Sequence, residues 1–236
     1  LHSTSRRQRQ MCIRDSDESV VGKVSVGGSG YYGSKVFSML VLPLKTKYPN
    51  LTIQVVELFS TDIITKVYEG TLDFGVVMMY CNDQEPLMMR IHECGLAYEN
   101  CFSDYVGIYA RPAHPLHKQD GVTMREVLRY PYVTGGSRHS VDHVYRMLED
   151  YGYEREVEII SNPQHRLLYL VAHDGVTTMP EEAYNSGGDW QKQLKPLRVR
   201  DFDWWCEVGV VYKPETMTPL KQQMLREMLE KLQVGT

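Results

Sequence analysis

Apolar positions along the chain follow two spacings, one typical of strands and one typical of amphipathic helices. Short runs rich in β-branched residues lie at 23–27, 51–58 and 72–79. Between these runs, apolar residues recur at helical intervals from 36 to 44 and from 63 to 68. The run 72–79 is almost wholly apolar, which is expected of a strand covered on both faces of a parallel sheet. The first third of the chain is therefore predicted to have the order βαβαβ.

The same alternation is repeated in the rest of the chain. Strands are predicted at 105–109, 132–134, 156–160, 176–179 and 205–212. Helices are predicted at 124–129, 139–151, 164–173 and 219–232. Pro43 is expected to kink the first helix, because proline lacks the N–H group that a helix interior uses. Two rounds of alternating strands and helices predict an α/β fold with two small lobes.

The N-terminal segment 1–16 follows neither spacing. It is polar and basic, and the ordered pattern begins abruptly near Val20. The string MCIRDS at 11–16 also resembles translated sequencing-adaptor sequence. We therefore treat 1–16 as a non-native or disordered leader, exclude it from the fold prediction and expect the natural N-terminus to be lost. The alternative interpretation is a basic arm that binds nucleic acid.

Composition and charge indicate a globular protein whose body does not attract nucleic acid. Hydrophobic residues make up 42% and charged residues 24% of the 236 positions, as in soluble domains. Four arginines but only one acidic residue lie in 1–16, so the remaining chain carries a net charge of −7. This charge repels phosphate groups. The sequence has neither an apolar run of about 18 residues nor a secretory signal, so we expect a cytoplasmic protein without membrane contact.

The cysteines and histidines favour neither disulfides nor a metal site. His139 and His143 are one helical turn apart, but no third ligand lies at a recognised interval. No metal and no cofactor are therefore predicted. The cysteines form an odd set without a C-x-x-C pair, so free buried thiols are expected. They are Cys12, Cys81, Cys94, Cys101 and Cys206.

Five short motifs occur in a fixed order along the chain. They are Leu40–Leu44 with Tyr48-Pro49, Glu69–Val76, His114-Pro115-Leu116, Val127-Leu128 with Pro131–Val133, and Leu170–Pro180. With these motifs in this order, nearly all of residues 20–234 resembles the effector-binding domain of LysR-type transcriptional regulators. Each motif is short by itself, and the joint order makes the resemblance specific.

The resemblance implies a fold similar to the type II periplasmic binding proteins, with two Rossmann-like lobes joined by two crossover strands. Lobe I would comprise 20–99 and 203–236, and lobe II would comprise 102–199. A small-molecule effector would bind between the lobes, and lobe I helices would pack on lobe II of a partner in a homodimer or homotetramer. The resemblance also implies a missing N-terminal winged helix-turn-helix domain, through which alone DNA would be bound. The expected function is effector sensing that controls DNA binding, without enzymatic activity.

Turns rich in glycine and hydroxyl groups follow several predicted strands. Ligands of open α/β sheets bind beyond the carboxyl ends of strands, where helix N-termini present unpaired N–H groups and partial positive charge. Hydroxyls and a cation suit a small organic anion, and an aromatic ligand is expected to stack near Tyr31 or Tyr32. The predicted effector-binding residues are Ser29, Gly30, Tyr31, Tyr32, Ser60, Thr61, Gly136, Ser137, Arg138 and Thr178. The alternative to ligand contact is helix capping for Ser60 and Thr61. For Arg138, the alternative is a position on the protein surface.

A competing motif is Gly28-x-Gly30-x-x-Gly33, followed by Glu57 at the end of the next strand. This layout matches a dinucleotide-binding fingerprint. Against it, Tyr31 and Tyr32 fill the positions nearest the pyrophosphate, and Ser25 interrupts the strand. An NAD-binding enzyme is therefore the less favoured interpretation, and a titration with NADH distinguishes it from a regulator.

Two further classes are weighed against effector sensing. A solute-binding protein of a transporter shares the implied fold, but it requires export, and no export signal is visible in the sequence. Thiol sensing, as in the peroxide-sensing members of the regulator family, uses a cysteine pair in lobe II. The turn 134–140 contains no cysteine, so this role is disfavoured.

Overall fold

The computed structural model of the chain describes residues 17–136, 142–153, 155–185 and 193–234. The predicted leader 1–16 and the predicted site residues Ser137 and Arg138 lie outside the described residues. The fold is a mixed α/β arrangement, as the alternating pattern predicts.

The strands, numbered in chain order, include two long ones and several short ones. They are β1 Gly22–Gly28, β2 Leu51–Glu57, β3 Phe74–Tyr80, β4 Ala97–Ala110, β5 Val133–Thr134, β6 Glu158–Ile159, β7 Val176–Pro180, β8 Lys195–Pro196 and β9 Trp204–Tyr212.

The helices mostly follow strands, as in other α/β proteins. They are α1 Tyr31–Val36, α2 Leu42–Lys47, α3 Ser60–Tyr68, α4 Gln84–Glu93, α5 Met124–Val127, α6 Asp142–Asp150, α7 Pro163–Ala172, α8 Glu181–Asn185 and α9 Pro219–Val234. A π-helical segment, Phe37–Val41, separates α1 from α2 just before Pro43. This segment is the interruption that Pro43 predicts, because the proline nitrogen has no hydrogen for the preceding turn.

Most strands lie in one mixed sheet with the order β2-β1-β3-β9-β4-β7, and β8 pairs with β4. Strand β1 is parallel to both β2 and β3, whereas β9 is antiparallel to β3 on one side and to β4 on the other. The first part of β4 pairs with β9, and the residues Val106–Ala110 pair with β7. Strands β4 and β9 therefore connect the two ends of the sheet, as expected of crossover strands. Strands β5 and β6 form a separate parallel pair.

The hydrophobic core is divided into groups that lie on different parts of the chain. One group packs α1, α2 and α9 against β1, β3 and β9, with Phe74 and Met228 among its buried members. Another packs α5 and α6 against the second half of β4, with Tyr132 and Met147 almost fully buried. These groups lie mainly on the elements assigned to predicted lobes I and II, and the lobe boundaries themselves stay a prediction.

Helix α4 was not predicted from the sequence, and two predicted strands have different lengths in the structure. Helix α4 buries Leu87 and Ile91 on one face, and Pro86 lies in its first turn, where a missing N–H group is tolerated. Strand β4 begins at Ala97, before the predicted start at 105. The first half of the strand was not predicted, because the exposed residues Glu99 and Ser103 conceal its alternation. The strand predicted at 156–160 is reduced to the two residues of β6.

Candidate functional site

A cavity of about 1440 Å³ opens where the strands of the two halves end. Its first wall is formed by the turns after β1 and β2, including Ser29–Tyr31 and Leu58–Thr61. The opposite wall is formed by 134–136 after β5, by Ser161 after β6 and by the end of β7. The volume exceeds the range of about 300 to 1000 Å³ that is usual for small-molecule sites. The cavity therefore has room for a metabolite at the carboxyl ends of several strands.

Most of the predicted site residues that the structure describes lie on this cavity. They are Ser29, Gly30, Tyr31, Ser60, Thr61, Gly136 and Thr178. Gly30 adopts a φ of 52°, a left-handed conformation that side chains other than glycine rarely adopt.

The structure corrects the expectation for Tyr32. Its exposed fraction is 1%, and its ring packs edge-to-face with Phe102 in the core. The Tyr32 hydroxyl donates a hydrogen bond of 3.1 Å to Asp104 Oδ2. Because successive residues of a helix point in different directions, Tyr31 borders the cavity while Tyr32 lies beneath its wall.

Ser60 has a structural role that the sequence did not predict. The residue at the N-cap of α3 is Phe59, so Ser60 is the first helical residue and does not cap the helix. Its Oγ donates to the Met78 carbonyl at 2.7 Å and accepts from the Met78 N–H at 3.0 Å. Because the hydroxyl hydrogen is already donated to the Met78 carbonyl, Ser60 connects α3 to β3 and does not donate to a ligand.

The donors that remain on this wall are two hydroxyls and the start of α3. Ser29 and Thr61 border the cavity, and among the described residues no hydrogen bond engages either hydroxyl. Ser60–Asp62 form the first turn of α3, whose N–H groups have no partner within the helix. A helix N-terminus with free hydroxyls beside it favours a negatively charged group.

Four basic side chains on the cavity wall were not predicted from the sequence: Lys35, Arg90, Arg146 and Arg166. Arg166, in the first half of α7, is half-buried and donates from Nη1 to the Ile160 carbonyl at 3.1 Å. Its guanidinium lies directly against Gly135, where a Cβ atom would overlap Nη1. Burial lowers the pKa of Arg166, but arginine stays charged in proteins at neutral pH. The absence of a side chain at Gly135 therefore leaves room for the Arg166 guanidinium at the cavity wall.

Acidic residues on the cavity wall equal these four basic side chains in number. Glu57, Asp83, Asp142 and Glu182 also border the cavity. Lys35 Nζ forms an ion pair of 2.6 Å with Glu182 Oε1. Arg166 is the partly buried arginine of the wall, whereas Arg90 and Arg146 are exposed to solvent.

His143 and Asp83 form a buried polar contact at one edge of the cavity. The His143 ring stacks on Tyr80 with centroids 4.3 Å apart, and its Nδ1 lies 3.8 Å from Asp83 Oδ2. Burial lowers the pKa of His143 to about 4 and raises the pKa of Asp83 to about 6. At neutral pH the imidazole is therefore neutral and the carboxyl group is ionised. In the described part of the chain, no cluster of three or more His, Cys, Asp or Glu residues is arranged to hold a metal ion.

These two shifted pKa values make opposite contributions to stability between pH 4 and 6.5. Asp83, with a pKa of about 6, stabilises the folded chain at low pH, and this contribution is lost as the pH rises through 6. His143, with a pKa of about 4, destabilises it as the pH falls from 6.5 to 4, because the unfolded chain takes up the proton first. We expect Asp83→Asn to lose stability on acidification relative to the parent chain, and His143→Phe to gain it, by up to about 1.4 kcal/mol per pH unit.

Urea unfolding at pH 7, 6 and 5 measures both differences. If the free energies of unfolding of the two variants change with pH in parallel with that of the parent chain, burial does not control the pKa values of Asp83 and His143.

The described cysteines, Cys81, Cys94, Cys101 and Cys206, are free. Burial raises the pKa of the Cys101 thiol to about 11 and raises that of Cys206 well above its usual value. Thiols with raised pKa values are poor nucleophiles, because the thiolate is the reactive form.

The cleft lies at strand ends, and its walls come from two parts of a mixed sheet joined by two crossover strands. This arrangement is that of a small-molecule-binding domain of the type II periplasmic-binding-protein class. The chain belongs to the family of the LysR substrate binding domain, whose family model matches residues 17–233. The resemblance found from the motifs is thereby confirmed.

Solved structures of LysR regulators share this fold. Full-length BenM aligns over 98% of this chain and 73% of its own, with a TM-score of 0.70 and 15% identity. The BenM effector-binding domain with benzoate covers 91% of this chain and 92% of its own, at a TM-score of 0.65 and 16% identity. The effector-binding domain of QuiR with shikimate covers 89% and 97%, at a TM-score of 0.65 and 12% identity. At such identities, the likeness establishes the fold.

A curated relative is an uncharacterized HTH-type transcriptional regulator of Bacillus subtilis (strain 168), YwbI. It is 26% identical in an alignment 130 positions long that covers 51% of this chain and 37% of the relative. The chain thus spans just over a third of that relative's length in the match. The relatives are transcriptional regulators and not enzymes, which does not support the dinucleotide-enzyme interpretation.

Among the described residues, no helix combines the length and apolar character that crossing a membrane requires.

Proposed function

We propose that this chain is the effector-sensing domain of a LysR-type regulator and binds a small anionic metabolite between lobe I, 20–99 plus 203–236, and lobe II, 102–199. The observation that carries this proposal is the cavity whose walls come from both halves of the chain. BenM and QuiR, whose effector-binding domains have been solved with benzoate and shikimate, share the fold and support the assignment.

One guanidinium and a group of hydrogen-bond donors on the cavity wall support an anionic ligand. Arg166 brings a half-buried guanidinium to one wall, and the start of α3 brings N–H groups to the other. The hydroxyls of Ser29 and Thr61 add donors beside α3. Charge-assisted hydrogen bonds of this kind are stronger than neutral ones, so an anion gains more from this site than a neutral analogue of the same shape.

Control of DNA binding is the second part of the proposal. An effector that binds one relative orientation of the lobes more tightly shifts the protein toward that orientation. In the parent regulator, this shift would change the position of the N-terminal winged helix-turn-helix domains that contact DNA. The net charge of −7 over 17–236 agrees with DNA contact through another domain.

A ligand screen by thermal shift tests the proposal. Carboxylates, amino acids and phosphates are added one at a time, each beside a neutral amide or ester of the same skeleton. We expect an anion to stabilise the chain by about 2.7 kcal/mol at one hundred times its dissociation constant. Stabilisation by neutral analogues alone would contradict the anionic ligand, and no stabilisation by any compound would contradict the sensor.

Two exposed apolar patches support a homo-oligomer. Phe37 and Leu42, near the π-helical segment, are 47% and 53% exposed. Leu168 and Val171, one turn apart on α7, are 67% and 46% exposed. Exposed apolar side chains of this size mark association surfaces when they are grouped, and we propose that the first patch of one copy covers the second patch of its partner.

The variant Leu168→Glu is expected to convert an oligomer into a monomer, because a carboxylate replaces the more exposed apolar side chain of the second patch. Light scattering during size-exclusion chromatography measures the mass. Met89→Glu is the matched control, because Met89 is 57% exposed but lies on α4, outside both patches. An unchanged mass for Leu168→Glu would remove α7 from the interface.

A further inference from the structure

An ion pair joins the two halves of the chain, between Lys35 and Glu182. Lys35 lies on α1 and Glu182 lies on α8, 147 positions apart in sequence. Their atoms Nζ and Oε1 are 2.6 Å apart, and their side chains are only 7% and 13% exposed. Both residues also border the cavity, so the pair forms part of its wall.

The crossover strand β4 contacts both residues of this pair. Asp104, on β4, accepts a hydrogen bond of 3.0 Å from the Glu182 N–H and one of 3.1 Å from the Tyr32 hydroxyl. Lys35 Nζ lies 5.5 Å from the centre of the Phe102 ring, which belongs to the same strand. Helix α1, helix α8 and β4 therefore meet at one point beside the cavity.

From this geometry we infer that Lys35 and Glu182 form a latch, which holds lobes I and II in one relative orientation before the effector binds. The inference rests on the proposed two-lobe function and adds residues that set its resting state. In the proposed function, an effector that changes the lobe orientation must break or replace this contact. Loss of one partner leaves the other charge buried, which is strongly unfavourable, whereas removal of both charges together is often tolerated.

Hydrogen exchange with mass spectrometry on the effector-free chain tests the latch across the two lobes. The variants are Lys35→Met, Glu182→Gln and the double variant K35M/E182Q, which combines the two single substitutions. If the latch couples the lobes, Lys35→Met accelerates exchange in α8, and Glu182→Gln accelerates exchange in α1, each by about tenfold or more. The double variant is expected to exchange more slowly than either single variant.

The matched control is Lys47→Met, which breaks the ion pair of Lys47 with Glu227. That pair is more exposed and lies within predicted lobe I, so exchange in α8 is expected to stay unchanged. Unchanged exchange across the lobes in Lys35→Met and Glu182→Gln would reject the latch. Independent, multiplicative effects in the double variant would reject it as well. If a single variant does not fold while the double variant does, the coupling of the two charges is confirmed by the difference.

The ligand screen separates this inference from the function on which it rests. Stabilisation by an anion together with unchanged exchange would reject the latch and leave the sensor in place. An exchange response without stabilisation by any compound would keep the latch and contradict the sensor.

Discussion

Gly75→Ala is expected to destabilise the chain by about 3 kcal/mol, at the upper end of the usual cost of overpacking a core. Gly75 is buried at the start of β3, the strand between β1 and β9. A Cβ atom at this position would overlap Ile63 Cγ2 and would lie 3.0 Å from Val211 Cγ2. Ile63, on the inner face of α3, is itself fully buried, so it has no free space into which to move.

Thermal and urea unfolding measure this effect. A loss of about 3 kcal/mol corresponds to a decrease of roughly 6 to 12 °C in the melting temperature for a domain of this size. Gly22→Ala is the matched control, because Gly22 is exposed and an added Cβ would meet only Leu51 Cδ1 at 3.9 Å. Equal melting temperatures for the two variants would show that α3 packs less tightly on β3 than the structure describes.

Arg166→Met is expected to weaken binding of the anion found in the ligand screen by about 100-fold. A charge-assisted contact that is removed from a partly buried site costs about 2 to 3 kcal/mol, because the ligand charge then loses its partner. Isothermal titration measures the affinity. Arg198→Met removes the same charge from a side chain that is 77% exposed and paired with Asp120, so it is expected to leave the affinity unchanged.

Gly135→Ala provides a second, charge-neutral test of the same cation. The added methyl group would overlap Arg166 Nη1 and displace the guanidinium, while the net charge of the chain stays the same. We expect a loss of affinity of about tenfold, smaller than for Arg166→Met because the displaced arginine still contributes charge. Full affinity in both variants would remove Arg166 from the binding site.

The fold was largely predictable because its strongest elements carry regular patterns. The apolar run at 72–79 and the alternation at 51–58 became β3 and β2, nearly with the predicted bounds. Strand β4 was found only in part, because its first half carries polar side chains on its exposed positions. Its role as a crossover depends on pairing with β9, more than 90 residues later, and local spacing does not report such pairing.

The candidate site was predictable to the extent that it follows strand ends. The turns containing Ser29 and Gly136 were found by this rule, and they lie on opposite walls of the cavity. Arg166 was not predicted as a site residue, although its helix α7 follows β6. It lies inside α7 rather than in the turn after the strand. Ser60 was interpreted as a donor to the ligand, but its hydroxyl is used by Met78, a contact that depends on tertiary packing.

Strands β4 and β9 pair from Ala97 with Tyr212 to Val106 with Trp204, and the register shifts once, between Asn100 and Phe102. A ladder of this length resists shear, because sliding one strand along the other would break all of its hydrogen bonds together. Bending and twisting of a two-stranded ribbon leave those bonds intact. We therefore expect a rearrangement of the two proposed lobes to bend or twist this ribbon, most easily at the irregular step near Asn100.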